Sequence, residues 1–228
     1  MAPMLPIRAR SCLAVWSLIA ATAAVAQEGA LSQLYAARPP AGSSFVRVVN
    51  PLPTLLRVRV AEGPVQNIDA SAPASSYAIV RGGRNFVVQV GGKPVATLQV
   101  RPDSFSTLVL RREGEGYAFT PVDDTTDTHD ALKAELRFYN LASGCSGAEL
   151  QLSPSGTTVF RDVAASTAAA RSVNPVRAAL AGRCGEAATA PLSLPPMQPG
   201  DHLSIFLTGT AARPALSVQP SRTDPFKR

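Results

Sequence analysis

The sequence predicts an all-β fold: two tandem antiparallel β-sandwich domains, a diverged repeat joined by a short acidic linker. Three observations carry that expectation. With 20 Pro and 16 Gly among 228 residues, a helix breaker falls about every six positions, too often for long helices. Apolar and polar residues alternate over short runs, which is the period of a half-buried strand. Blocks of the first half return in altered form in the second. A composition that is 46% apolar and 17% charged supplies a core and excludes a disordered chain.

The elements follow in order. Arg8 and Arg10 precede an apolar run at 12–20, and Ala24-Val25-Ala26 stands before Gln27. That arrangement reads as a secretory signal over residues 1–26, cleaved after Ala26. The run is shorter than the roughly 20 residues a spanning helix needs, so no transmembrane segment is expected after cleavage. Cys12 opens the run instead of closing it, which argues against a lipid-modified cysteine. Without the signal the net charge falls from +6 to +4.

From Phe45 the period becomes two. Val46 and Val48, then Leu56, Val58 and Val60, alternate with Arg47, Arg57 and Arg59, and Asn50-Pro51-Leu52-Pro53 supplies a turn. Paired as a hairpin across residues 50–54, these strands would carry all three arginines on one outward face. Such a face is either a contact for a polyanion or acidic protein, or a solvated sheet surface. The rhythm continues through 77–80, Phe86–Val90, 95–100, 105–110 and 117–122, with Gly82-Gly83, Gly91-Gly92 and Gly114-Glu115-Gly116 between them. Gly91-Gly92 reads as a tight hairpin turn, because paired glycines permit positive φ. Residues 27–122 are expected to form the first sandwich, with a net charge of +4.

Residues 123–133 break the pattern with Asp123, Asp124, Asp127 and Asp130, and read as a solvated linker. The second sandwich is expected over 134–220, with a net charge of +1, followed by a tail at 221–228. Its Leu136-Arg137-Phe138-Tyr139-Asn140 echoes Val46-Arg47-Val48-Val49-Asn50, and Leu203-Ser204-Ile205-Phe206-Leu207 echoes Phe105-Ser106-Thr107-Leu108-Val109. After signal cleavage two cysteines remain, Cys145 and Cys184. An even number in an exported chain favours one structural disulfide over two buried thiols, and their spacing excludes a C-x-x-C redox or zinc pair.

Catalytic constellations are incomplete. Asp127-Thr128-His129 has the Asp and His of a hydrolase triad but no nucleophile beside it. Gly200-Asp201-His202-Leu203 has an imidazole where such enzymes carry the attacking serine, and no Gly-x-Ser-x-Gly elbow occurs. The acidic stretch lacks the glycine and closing glutamate of an EF-hand loop. Nucleotide fingerprints are absent, and no basic run is interleaved with aromatics, so nucleic acid is not an expected partner. No catalytic residue, metal ligand or cofactor is expected.

Several blocks together resemble one family. Leu34-Tyr35, then Pro40-Ala41-Gly42-Ser43-Ser44-Phe45-Val46-Arg47-Val48-Val49-Asn50, Pro102-Asp103-Ser104-Phe105-Ser106-Thr107-Leu108-Val109 and Val173-Asn174-Pro175-Val176 resemble, in order and spacing, the AlgF family of accessory proteins in alginate O-acetylation. The resemblance implies a periplasmic protein without catalytic residues, needed for acetyl groups to reach an exopolysaccharide. It would act as an adaptor through contact with acetyltransferase proteins of the export complex. The alternative is a carbohydrate-binding module that takes an anionic exopolysaccharide directly. The chain departs from the family pattern at Asp127-Thr128-His129 and at the Cys145/Cys184 pair, which leaves open whether alginate or another acetylated polymer is served.

Overall fold

The structure, a computed structural model, describes residues 39–126 and 130–226. Among these residues are seventeen β-strands and no helix. The first half contributes β1 (Ser43–Val49), β2 (Leu56–Val60), β3 (Gln66–Ile68), β4 (Ala78–Arg81), β5 (Phe86–Val90), β6 (Lys93–Leu98), β7 (Phe105–Glu113) and β8 (Gly116–Asp123). They form two facing sheets, ordered β4-β1-β7-β8 and β3-β2-β5-β6. The alternation seen in the sequence is the reason: Val46, Val48, Leu108 and Leu110 of one sheet meet Val58, Val60, Ile68, Phe86, Val88 and Val90 of the other in a single core. Each such side chain, fully buried, contributes about 1.5–3 kcal/mol.

The second half repeats this plan with β9 (Ala134–Asn140), β10 (Gly147–Ser153), β11 (Thr158–Ala164), β12 (Thr167–Val173), β13 (Ala179–Cys184), β14 (Ala187–Ala188), β15 (Leu192–Ser193), β16 (His202–Thr210) and β17 (Arg213–Pro220). Its sheets are β12-β9-β16-β17 and β11-β10-β13-β14, the latter with β15 also on β13. Leu136, Phe138, Leu150, Phe160, Leu180, Ile205 and Leu207 fill its core. In both halves the pairing is antiparallel except at one place, where the first strand runs parallel to the next-to-last: β1 beside β7 and β9 beside β16. A parallel neighbour needs a long crossover, and here the whole opposing sheet is that crossover.

Two local expectations change. The first and second strands do not pair as a hairpin across residues 50–54. β1 pairs with β4 and β7, while β2 pairs with β3 and β5, so the turn carries the chain from one sheet to the other. Asn50 fixes that turn, its Nδ2 donating to Thr54 O (2.7 Å) and its Oδ1 accepting from Leu52 N (3.0 Å). The second echo is out by one residue. Arg47 stands opposite Thr107 in the parallel register, and Arg137 stands opposite Ser204, so Thr107 is equivalent to Ser204 and Phe105 to His202. A one-residue slip exchanges the two faces of a strand. The hairpin at Gly91-Gly92 is as expected, with φ of 61° and 80° between β5 and β6.

Cys145, buried in the loop after β9, forms a disulfide with Cys184 at the end of β13, with their Cα atoms 5.7 Å apart. The bridge ties the loop that carries the chain from β9 to β10 to the end of β13, beside the start of β10. All described residues fall in one compact unit. The expected signal at 1–26 lies outside the described residues, and among the described residues no helix is long and apolar enough to cross a membrane.

Candidate functional site

The sandwiches meet through the faces of β1/β7 and β9/β16 that point away from their own cores. Val49, Val109 and Val122 of the first pack against Tyr139, Leu141 and Phe206 of the second. Tyr139 also enters a buried polar cluster. The alternation that sends Val46 and Val48 to the core sends Arg47 to this face, where it is 0% exposed. Its Nε donates to Thr107 Oγ1 (2.8 Å), its Nη2 to Tyr139 Oη (2.7 Å) and Ser204 Oγ (2.8 Å), and its Nη1 to Ser221 Oγ (3.4 Å). The guanidinium lies 4.5 Å from the centroid of the Tyr77 ring, a cation–π contact out of reach of water.

Asp124 is the acid of the cluster and is 4% exposed. It accepts from Tyr77 Oη (2.7 Å), from Tyr139 Oη (2.7 Å) and from Thr107 Oγ1. Arg137 Nη1 lies 3.6 Å from its Oδ1. Arg137 in turn donates through Nε and Nη2 to Glu135 Oε1 (3.2 and 3.0 Å), and His202 Nδ1 is 3.6 Å from the same oxygen. The junction has approximate two-fold symmetry. The backbone N–H of Asp124 donates to Phe105 O (2.9 Å) and that of Ser221 to His202 O (2.8 Å), so these residues hold equivalent places just beyond β8 and β17. Each arginine reaches across to the other half's member of that pair.

Electrostatics follow from this packing. Burial alone would lower the Arg47 pKa, but Tyr139, Tyr77 and Asp124 outweigh it and the net shift is upward. Burial pushes the Tyr139 hydroxyl up to about 12 and Tyr77 well above the usual tyrosine value. Glu135 is held below the ordinary carboxylate value: burial opposes this, but hydrogen bonding to His202 and the Arg137 charge prevail.

The chain after β17 returns to the first sandwich. Tyr77 N donates to Arg222 O (2.7 Å), Asp224 N to Tyr77 O (2.8 Å), and Ser76 Oγ to Asp224. Gln219 brackets the backbone of Ala74 from β17, its Oε1 accepting at 3.1 Å and its Nε2 donating at 2.9 Å. Beside the polar cluster is a cleft of about 200 Å³ with Tyr77, Phe105, Glu135, Arg137, His202 and Thr223 in its walls. A larger open groove of about 600 Å³ runs between residues 59–65, Ile79 and the returning segment at 224–226.

The three arginines singled out in the sequence are therefore not brought together. Arg57 and Arg59 face away from the core of the β3-β2-β5-β6 sheet, Arg57 exposed and Arg59 half-buried, with Arg59 donating to Gly63 O (3.1 Å) and Glu62 (3.2 Å). Arg47 lies in the other sheet, sealed at the junction. Asp124, read as solvated linker, is buried because it extends the edge strand past β8. Asp127-Thr128-His129 lies outside the described residues. Tyr77, Tyr139, Thr107 and Ser204 were missed. The signal available for two of them was the repeat itself: once Arg47 and Arg137 are aligned, Tyr139 stands where Val49 does, and Ser204 where Thr107 does. Among the described residues no group of His, Cys, Asp and Glu converges to hold a metal ion.

Known proteins similar in sequence to this chain span most of its length. The family model described as "Alginate O-acetyl transferase AlgF" matches residues 14–201. The alginate biosynthesis protein AlgF of Pseudomonas putida KT2440 is 27% identical over 182 residues, 80% of this chain and 80% of that one. Its counterpart in Pseudomonas aeruginosa PAO1 is 29% identical over 210 residues, 90% of this chain and 91% of that one. The solved C-terminal domain of AlgF from P. aeruginosa matches 39% of this chain and 98% of its own length at 26% identity, with a TM-score of 0.34. The chain belongs to the AlgF family of alginate biosynthesis proteins.

Proposed function

We infer that the chain is a non-catalytic periplasmic adaptor for O-acetylation of an exopolysaccharide, alginate or a similar polymer, working by contact with the acetyltransferase machinery. The observation that supports this reading is the use made of the junction residues. Arg47, Tyr77, Asp124, Arg137 and Tyr139 are bonded to one another across the two sandwiches. A general acid or base must exchange protons with a substrate near the working pH. Arg47 and Tyr139 are shifted away from that range and face each other, which suits joinery. A pair of sandwiches held this way offers widely separated outer sheets in a fixed relation, as a bridging protein requires. Arg57 and Arg59, on one outer sheet, are the proposed contact with an acidic partner surface.

The test is capture from periplasmic extract by the tagged mature chain. Acetyltransferase proteins are expected to co-purify, and an Arg57→Glu/Arg59→Glu variant is expected to lose them while its thermal unfolding is unchanged. Acetylation of the polymer by the purified chain alone would contradict the adaptor reading and favour the transferase named in the family description. Salt-sensitive retention on immobilised polyuronate, with nothing captured, would favour the carbohydrate-binding alternative.

A further inference from the structure

We propose that the cleft between the sandwiches is a subsite for one neutral, hydroxyl-bearing pyranose ring. The adaptor reading neither requires nor supplies this site. The cleft has the two chemistries such a ring needs. Its first-domain wall carries Phe105, a large apolar side chain left 36% exposed. That ring is fixed in place by stacking on Phe45, with centroids 4.4 Å apart and planes 11° apart, and by the edge-on ring of Tyr77 at 5.3 Å. A rigid aromatic surface with about a third of its area open to solvent suits the C–H face of a sugar. The rest of the lining is polar: Glu135, Arg137 and His202 from the second sandwich, and Ser221 and Thr223 from the returning segment, Thr223 lying beside Tyr77. Carboxylate, guanidinium, imidazole and hydroxyl groups together can meet ring hydroxyls as both donors and acceptors. At about 200 Å³ the space is below the range of pockets for drug-sized molecules, and a single ring is the fitting scale.

The charge arrangement selects a neutral ring over a uronate. Arg137 has its Nε and Nη2 on Glu135 Oε1 and its Nη1 3.6 Å from Asp124. A ligand carboxylate would have to displace one of these acids from Arg137 while lying beside the other. A hydroxyl incurs no such repulsion.

The experiment is a titration of the isotopically labelled mature chain, followed by NMR, with methyl β-glucopyranoside and, separately, methyl β-glucuronopyranoside, the same ring bearing a carboxylate. The neutral glycoside is expected to shift resonances of residues 105, 135, 202 and 223 with a dissociation constant on the order of 1 mM, as suits so small a ligand. The glucuronoside is expected to bind at least about tenfold more weakly. Phe105→Leu should weaken the neutral ligand, and Thr223→Val, at an exposed position, should do so without disturbing the aromatic stack. No shifts at tens of millimolar glycoside, shifts confined to other surfaces, or equal binding of the glucuronoside would each overturn the proposal. Partner capture on the same protein reads the adaptor role independently.

Discussion

Arg47 and Arg137 occupy equivalent places in the two halves, each opposite a hydroxyl residue in the parallel strand pair, yet their surroundings differ. Arg47 is surrounded by hydroxyls and aromatic rings and has Asp124 as the acid of its cluster, reached through Tyr139 and Thr107. Arg137, 9% exposed, touches two carboxylates directly and lies at the wall of the cleft. The difference traces to two pairs of positions, Asp124 against Ser221 and Phe45 against Glu135. Where the first half has Asp124, the second has Ser221, so Asp124 is the acid common to the surroundings of both arginines, and Glu135 is a second acid for Arg137 alone. Two identical halves would bring either two acids or none to the junction. Unlike pairs of this kind, with Val49 against Tyr139 and Phe105 against His202 among them, make the first sandwich complementary to the second and not to itself.

The comparison breaks most severely at Arg47. Arg47→Ala should cost about 3–5 kcal/mol, because it takes the buried cation out of the network around Asp124 and leaves the Thr107, Tyr139 and Ser204 hydroxyls each short of a partner. Arg137→Ala should cost less, about 1.5–3 kcal/mol, the scale of hydrogen bonds to charged groups. Urea denaturation of both variants checks the ranking, and the Arg47 variant is expected to split one transition into two as the sandwiches uncouple. Next in size, replacing Cys145 and Cys184 by serine should cost about 3–4 kcal/mol on the chain-entropy account. That loss should fall on the second sandwich alone, seen as early hydrogen exchange in β10 and β13 with β2 and β5 still protected.

Smaller effects sharpen the contrast through pH. Tyr139 has its folded value raised to about 12 against about 10 unfolded, so its contribution is complete below pH 10 and is lost as pH rises through the folded value. Thermal stability should therefore fall between about pH 10 and 12, and Tyr139→Phe should flatten that fall. Glu135 behaves oppositely. Its folded value is depressed, so its contribution is present above about pH 4.3, the unfolded value, and is lost as pH falls through the folded one. Glu135→Gln should remove part of the acid limb and leave the alkaline limb alone. Smallest of all, Arg57→Glu/Arg59→Glu should change stability by no more than about 0.5 kcal/mol, as expected for surface positions.

Much of the fold was legible because period two and glycine turns are local signals. Phe86–Val90 and its Gly91-Gly92 turn could be read directly, and so could the pairing of Cys145 with Cys184 as a favoured outcome. Partners were less legible. The strand at Val46 pairs with one about sixty residues away, and alternation states which side chains share a face without stating which strand lies beside them. Arg47 shows the same limit. Its direction, opposite Val46 and Val48, was correctly read, but the far side of a sheet is solvent only if nothing packs there. In this chain a second sandwich does. Asp124 was hidden among acids of a true linker composition, and only its position one residue past β8 distinguishes it from Asp130, which is exposed and pairs with Lys133. The misaligned echo hid Ser204 for a related reason: apolar residues occur on both faces of β16, so similarity alone tolerated the slip.

The most direct test of the account supplies purified mature chain with an acetyl donor and unacetylated polymer, with and without the captured acetyltransferase proteins, and follows acetate on the polymer. Transfer is expected only when those proteins are present, and more of it when this chain is added. Acetylation by this chain alone, above the rate without protein, would contradict it.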